Sequence, residues 1–110
     1  MALYDRYSDV MSGHPPFVQR MERRRKERIL GFAERALRKS KDVRALEVGV
    51  GIGLFADACM KRGWDYTGID RNDKMVRSLG ERARVIAGEV PPLPAAIEPE
   101  TIDIAYSSFV

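Results

Sequence analysis

Arg44-Ala-Leu-Glu-Val-Gly-Val-Gly-Ile-Gly53 is the stretch on which the fold turns. Ala45, Leu46 and Val48 make a short apolar run, and glycines follow at positions 49, 51 and 53. A run of this length bounded by glycine reads as a buried strand. Alternate glycines at its end mark a bend where φ is positive or where another group comes close to the backbone. Leu54, Phe55, Ala58 and Cys59 then recur at helical spacing.

Strand, glycine bend and helix together form the opening unit of a nucleotide-binding α/β sheet. The dinucleotide fingerprint G-x-G-x-x-G requires glycine at 54, where this chain has Leu54. The third glycine comes one residue early, and an acid, Glu47, stands two places before the first. Glu47-Val-Gly49-Val-Gly51-Ile-Gly53 therefore resembles motif I of the class I S-adenosylmethionine-dependent methyltransferases, D/E-x-G-x-G-x-G. Within that class the chain looks like the small-molecule type, methyltransferase domain 11-like, and like its N-terminal portion.

The rest of the chain reads as alternating helices and strands. Val18 to Lys39 predicts one helix, with Val18, Met21, Ile29, Leu30, Ala33, Ala36 and Leu37 near one stripe. Inside it, Arg20 to Arg28 carries six positive and two negative charges. No aromatics interleave that run for base stacking, so it reads as a solvated helix face rather than a nucleic-acid grip. A helix to about Arg62, stopped by Gly63, precedes a second strand from Asp65 that ends in Asp70. A short helix over 73–79 ends at Gly80. A third strand over 83–87 leads to Gly88-Glu89. Pro91, Pro92, Pro94 and Pro99 keep the next connection out of a strand. A fourth strand is expected over Thr101–Tyr106.

This pattern predicts an α/β fold: a Rossmann-like open parallel sheet with flanking helices, apparently truncated after the fourth strand. Residues 1–17 are read as an N-terminal segment and 18–110 as a partial cofactor-binding domain. Tyr4 and Tyr7 are read as aromatics packing a loose N-terminus, with folding over a cofactor as the alternative. His14, before two prolines and with no metal partner in sequence, reads as a turn residue. A complete enzyme of this class continues past strand four. The edge of strand four is thus expected to meet either the missing C-terminal half or a second copy, with a stand-alone remnant that no longer catalyses as the third alternative.

At 110 residues the chain is at most one domain. Its net charge of +3 is local. Residues 1–40 hold ten Lys/Arg against five Asp/Glu, and residues 41–110 hold nine against eleven. One cysteine, Cys59, excludes a disulfide within the chain and reads as a small core residue. No apolar run is long enough to span a bilayer, and the first residues lack a signal-peptide shape, so the expected location is cytoplasmic.

Ligands of an open parallel sheet bind beyond the carboxyl ends of its strands. The candidates fall there: Glu47, Gly49, Gly51 and Gly53 after strand one, Asp70 and Arg71 after strand two, Gly88, Glu89 and Val90 after strand three, and Tyr106, Ser107 and Ser108 after strand four. The resemblance implies S-adenosyl-L-methionine as cofactor and a small-molecule or lipid-like methyl acceptor. It implies that Asp70 takes the ribose hydroxyls and that Glu47 helps hold the amino group. It implies further that Glu89 bonds the adenine amino group, with Val90 beside the ring and Met75 as an apolar wall, core packing being the equal alternative for Met75. Arg71 belongs to the same strand end with its side chain toward solvent. Tyr106 to Phe109 are expected near the transferred methyl. No catalytic base or metal ligand is identifiable. Two alternatives stand beside this reading: an NAD(P)-binding oxidoreductase domain on the same fold, and a non-catalytic module binding nucleic acid through Arg20–Arg28.

Overall fold

The computed structural model describes residues 16–90 and 92–107. Tyr4, Tyr7, His14, Ser108 and Phe109 lie outside the described residues. The chain runs α1 (Pro16–Leu37), β1 (Arg44–Val48), α2 (Leu54–Lys61), β2 (Asp65–Asp70), α3 (Asp73–Gly80), β3 (Arg84–Ala87), a 3-10 turn (Pro99–Thr101) and β4 (Ile104–Ser107). The four strands form one sheet in the order β3-β2-β1-β4, and every pair is parallel. Strand order reverses direction beside β1, which puts the end of β1 at the switch point of the sheet.

Local chemistry explains most element ends. α1 begins at Pro16, two residues before the expected start; proline at a helix start gives up only an N–H that has no intrahelical partner. α2 ends in a Schellman motif. The Trp64 N–H reaches the Cys59 carbonyl at 3.0 Å and the Gly63 N–H reaches Met60 at 3.0 Å, with Gly63 at φ 73°. Asn72 caps α3 by accepting from the Lys74 and Met75 N–H groups. α3 ends at Gly80 as expected, with Gly80 at ordinary φ and Glu81 following as the cap.

Strand four also starts later than its sequence suggests. Thr101 belongs to the 3-10 turn, where its hydroxyl and its N–H both bond the Glu98 carbonyl. That local bond competes with the ladder. The Asp103 carboxylate then takes the Arg44 N–H at 2.8 Å and Lys39 Nζ at 3.1 Å, tying the start of β4 to β1. These bonds hold the Asp103 carboxyl below its usual range.

The two faces of the sheet are covered differently. One face carries Ala45, Tyr66, Val85, Ile104 and Tyr106, and all three helices pack on it through Leu30, Ala33, Phe55, Ala58, Cys59, Met75 and Leu79. The other face carries Leu46, Ile69 and Ile86. The proline-rich connection covers it with Leu93, Ile97 and Ile102. Cys59 is fully buried, and burial pushes its thiol up to about 12, so it is a core residue and not a thiolate.

Candidate functional site

The glycine bend is built as its composition requires. Gly49, Gly51 and Gly53 take φ of 82°, 56° and 92°, a region that side chains disfavour. The Gly49 N–H bonds the Ile69 carbonyl at 2.8 Å, which anchors the bend to β2. Gly53 has a further reason to be bare. A Cβ there would come within 2.5 Å of Arg82 Nη2 and 2.6 Å of Leu79 Cδ1. Arg82 packs at this point, bonding the Ile52 carbonyl at 3.1 Å and Asp57 at 3.1 Å. Gly53 therefore serves packing between the bend and the end of α3, a role its sequence position did not disclose.

Asp70 turns back onto the bend from β2. Its Oδ2 accepts the Val50 N–H at 3.0 Å and its Oδ1 accepts the Asn72 N–H at 2.9 Å. The carboxylate is buried, yet each oxygen keeps a second lone pair. It lines a cleft of about 130 Å³ with Val48, Gly49, Ile69, Arg71, Gly88, Glu89 and Val90. Glu89 and Val90 form the exposed lip of that cleft, and Arg71 is exposed beside it. The Gly88 N–H bonds the Asp70 carbonyl at 3.1 Å, which holds the lip to the end of β2.

A second hollow lies on the other side of the bend. It measures about 20 Å³, room for one water-sized group, and is lined by Glu22, Lys26, Glu47, Val50, Gly51, Ile52, Leu54 and Phe55. Glu47 is only 2% exposed and accepts a 2.6 Å hydrogen bond from the Tyr66 hydroxyl. Burial pushes its carboxyl up to about 8. The Tyr66 bond and the charge of Lys26 oppose that rise, and the charge of Asp70 adds to it. Burial, with Glu47 alongside, drives the Tyr66 phenol well above its usual range.

Lys26 corrects the reading of α1 as a wholly solvated basic run. It is 7% exposed, because its stem lies in the helix layer and its amine finds Tyr106. Nζ donates to the Tyr106 hydroxyl at 3.0 Å and lies 5.1 Å from the centre of that ring. Tyr106 stacks on Phe55 with ring centroids 4.4 Å apart. Glu47 and Tyr106 are register partners on β1 and β4, and the bond from Lys26 to Tyr106 brings its amine to the hollow that Lys26 and Glu47 line. Met75 is elsewhere. It is buried with Leu79 in the core between α3 and the sheet and does not line the cleft with Asp70, because the α3 stripe faces the sheet.

Of the residues singled out in the sequence, Gly49, Asp70, Arg71, Gly88, Glu89 and Val90 thus meet in one cleft, and Glu47 and Gly51 border the hollow next to it. Gly53, Met75 and Tyr106 line neither. Asn72 is the helix cap that its sequence position offers, and Phe55 reads there only as part of the α2 stripe; Tyr66 and Arg82 were not singled out. Tyr66 alone left a signal: it is an aromatic two places before a glycine on the strand that ends in Asp70.

A parallel sheet whose first two strands end in a glycine bend and an inward carboxylate is a Rossmann-like sheet, the kind that takes ligands beyond its carboxyl strand ends. The methyltransferase domain family matches residues 46–110, more than half of the chain, and the chain belongs to that family. No curated protein matches it significantly. The crystal structure of a SAM-dependent methyltransferase from Archaeoglobus fulgidus shares its fold, with a TM-score of 0.59 and 19% sequence identity. The match covers 80% of this chain and 35% of that one, so the chain spans about a third of that protein's length. Among the described residues no helix is long and apolar enough to cross a membrane, and no cluster of His, Cys, Asp or Glu is suited to a metal.

Proposed function

We propose that this chain is the cofactor-holding part of an S-adenosylmethionine-dependent methyltransferase acting on a small-molecule or lipid-like acceptor. One observation carries the reading: the buried Asp70 carboxylate closes on the glycine bend inside a cleft rimmed by Gly88, Glu89 and Val90. The donor set suits the cofactor. Asp70 has lone pairs for a ribose diol, and the cleft takes a flat ring beside Val90. Across the bend, Glu47 lies by a hollow sized for an ammonium group. Glycine at the three positive-φ positions keeps the bend itself bare at those points.

Bound S-adenosylmethionine supplies an activated methyl on a sulfonium, ready for in-line displacement by a nucleophilic atom. The chain's own part is to bind, orient and exclude water. Asp70 fixes the sugar end, Glu47 the amino end, and Glu89 the base. No side chain is assigned a proton transfer. The cytoplasm is the proposed location, and the free side of β4 is the proposed place where a second copy or further sheet adds on.

Calorimetry with S-adenosylhomocysteine tests the reading. Binding is expected, and Asp70→Ala should abolish most of it. A folded sample that gives no heat, or binding indifferent to Asp70→Ala, would refute it. The NAD(P) alternative is disfavoured by Leu54, whose buried side chain opens α2 where the fingerprint needs glycine. A thermal shift with NADH and none with S-adenosylhomocysteine would restore it.

A further inference from the structure

The outer face of α1 has no role in the cofactor site. At about 100° per residue, Phe17, Met21, Arg24, Arg28, Phe32 and Arg35 fall within an arc of about 80°. That arc lies opposite Lys26, Leu30 and Ala33, which face the core. Phe17, Met21 and Phe32 are 56%, 59% and 68% exposed. The three acids of the helix, Glu22, Glu27 and Glu34, all fall outside the arc, and Glu27 and Glu34 pair with Arg62. Among the described residues, Arg24, Arg28 and Arg35 make no ion pair.

We propose that this face of α1 docks on an anionic membrane surface. Large apolar side chains set among unneutralised arginines suit the headgroup boundary. There the rings and the thioether sink toward the acyl chains while the guanidinium groups meet lipid phosphates. Charge decides against a second copy, since a symmetric contact sets arginines against arginines. Spacing decides against nucleic acid. Phe17 and Phe32 are about 22 Å apart along the helix, too far to stack on neighbouring bases. A phosphate backbone also offers three exposed apolar groups no place to go. The helix lies on the membrane and does not cross it.

The test is vesicle flotation of the 110-residue chain with phosphatidylcholine alone and with phosphatidylserine added. Binding is expected only when phosphatidylserine is present and should weaken as salt rises. Neutralising Arg24, Arg28 and Arg35 to Gln should weaken it roughly fivefold per arginine. Phe17→Ser, Met21→Ser and Phe32→Ser together should weaken it as well, with the circular dichroism melt unchanged because all three are exposed. Should the triple variant unfold, Phe32→Ser alone carries the same expectation. No flotation with phosphatidylserine at low salt overturns the proposal. So does flotation indifferent to the apolar substitutions, a dimer that those substitutions dissociate, or tighter binding to duplex DNA than to vesicles. S-adenosylhomocysteine binding by the same variants is a separate readout, so the docking face and the cofactor site fail or survive independently.

Discussion

The Tyr66 hydroxyl lies over Gly68, two residues further along the same strand, in the space a side chain at 68 would fill. A Cβ built on Gly68 falls 2.6 Å from that oxygen and also collides with Val50 Cγ1. The bare position lets the phenol reach Glu47, the register partner of Gly68 on β1. Gly68→Ala should therefore destabilise the fold by about 1–3 kcal/mol, the usual cost of forcing a methyl into a packed interior. Urea unfolding measures it. An alanine variant as stable as the parent would show that the phenol does not occupy this place.

The Glu47 carboxyl gives the fold a pH dependence of definite sign. Burial pushes its pKa up from the ordinary 4.5 to about 8 in the folded chain. Between those values the folded state holds a proton that the unfolded state has released, so stability falls as pH rises through that window. The contribution is complete below about 4.5 and gone above about 8. Its size is on the order of several kcal/mol. Glu47→Gln should flatten the decline in Tm across this range. A slope unchanged by the substitution would place the titrating group elsewhere.

Strand ends were legible because chain chemistry marks them. Gly49–Gly53, Asp70, Gly63 and the prolines announce bends and stops from their own conformational limits. The cleft residues were legible for the same reason, since each stands at a strand end. Contacts between elements were not. Lys26 reads as one more cation in a basic run, and only the meeting of α1 with β4 shows that it ends on Tyr106. Met75 sits at a helix start near Asp70, yet the 3.6-residue turn points it into the core. Thr101 has strand propensity, and a local bond to Glu98 overrides it. Covering one sheet face with all the helices and the other with the proline-rich connection is a tertiary outcome with no sequence signal of its own.

Asp70 has two tasks that substitution can separate. It braces the bend through Val50 and Asn72 and, on the proposed function, takes the ribose diol. Asp70→Asn keeps the shape and one acceptor but puts an amide donor where the other oxygen took an N–H. Hydrogen bonds to charged groups contribute about 1.5–3 kcal/mol, so S-adenosylhomocysteine should bind roughly 10- to 150-fold more weakly. Adenine alone, which does not need the diol, should lose far less. Equal losses for both ligands would mean that the substitution acts through the bend and not through contact with the sugar.

Lys26 stands where it can tune Glu47 without touching it. Its amine is fixed by the Tyr106 hydroxyl at 3.0 Å and by Glu22 at 3.9 Å, and its charge draws the Glu47 pKa downward. Lys26→Met keeps most of the buried stem and removes the charge. The Glu47 carboxyl should then titrate above its present value of about 8. Carbon-detected NMR of the glutamate carboxyl follows this directly. Lys26→Arg should keep the titration near its present place, because the charge persists even if the bond to Tyr106 shifts. The decline of stability with pH should extend to higher pH in the methionine variant, since the folded state keeps its proton longer. If Glu47 titrates identically in the lysine and methionine proteins, the amine is too well screened to reach it, and the link between α1 and the hollow is one of packing alone.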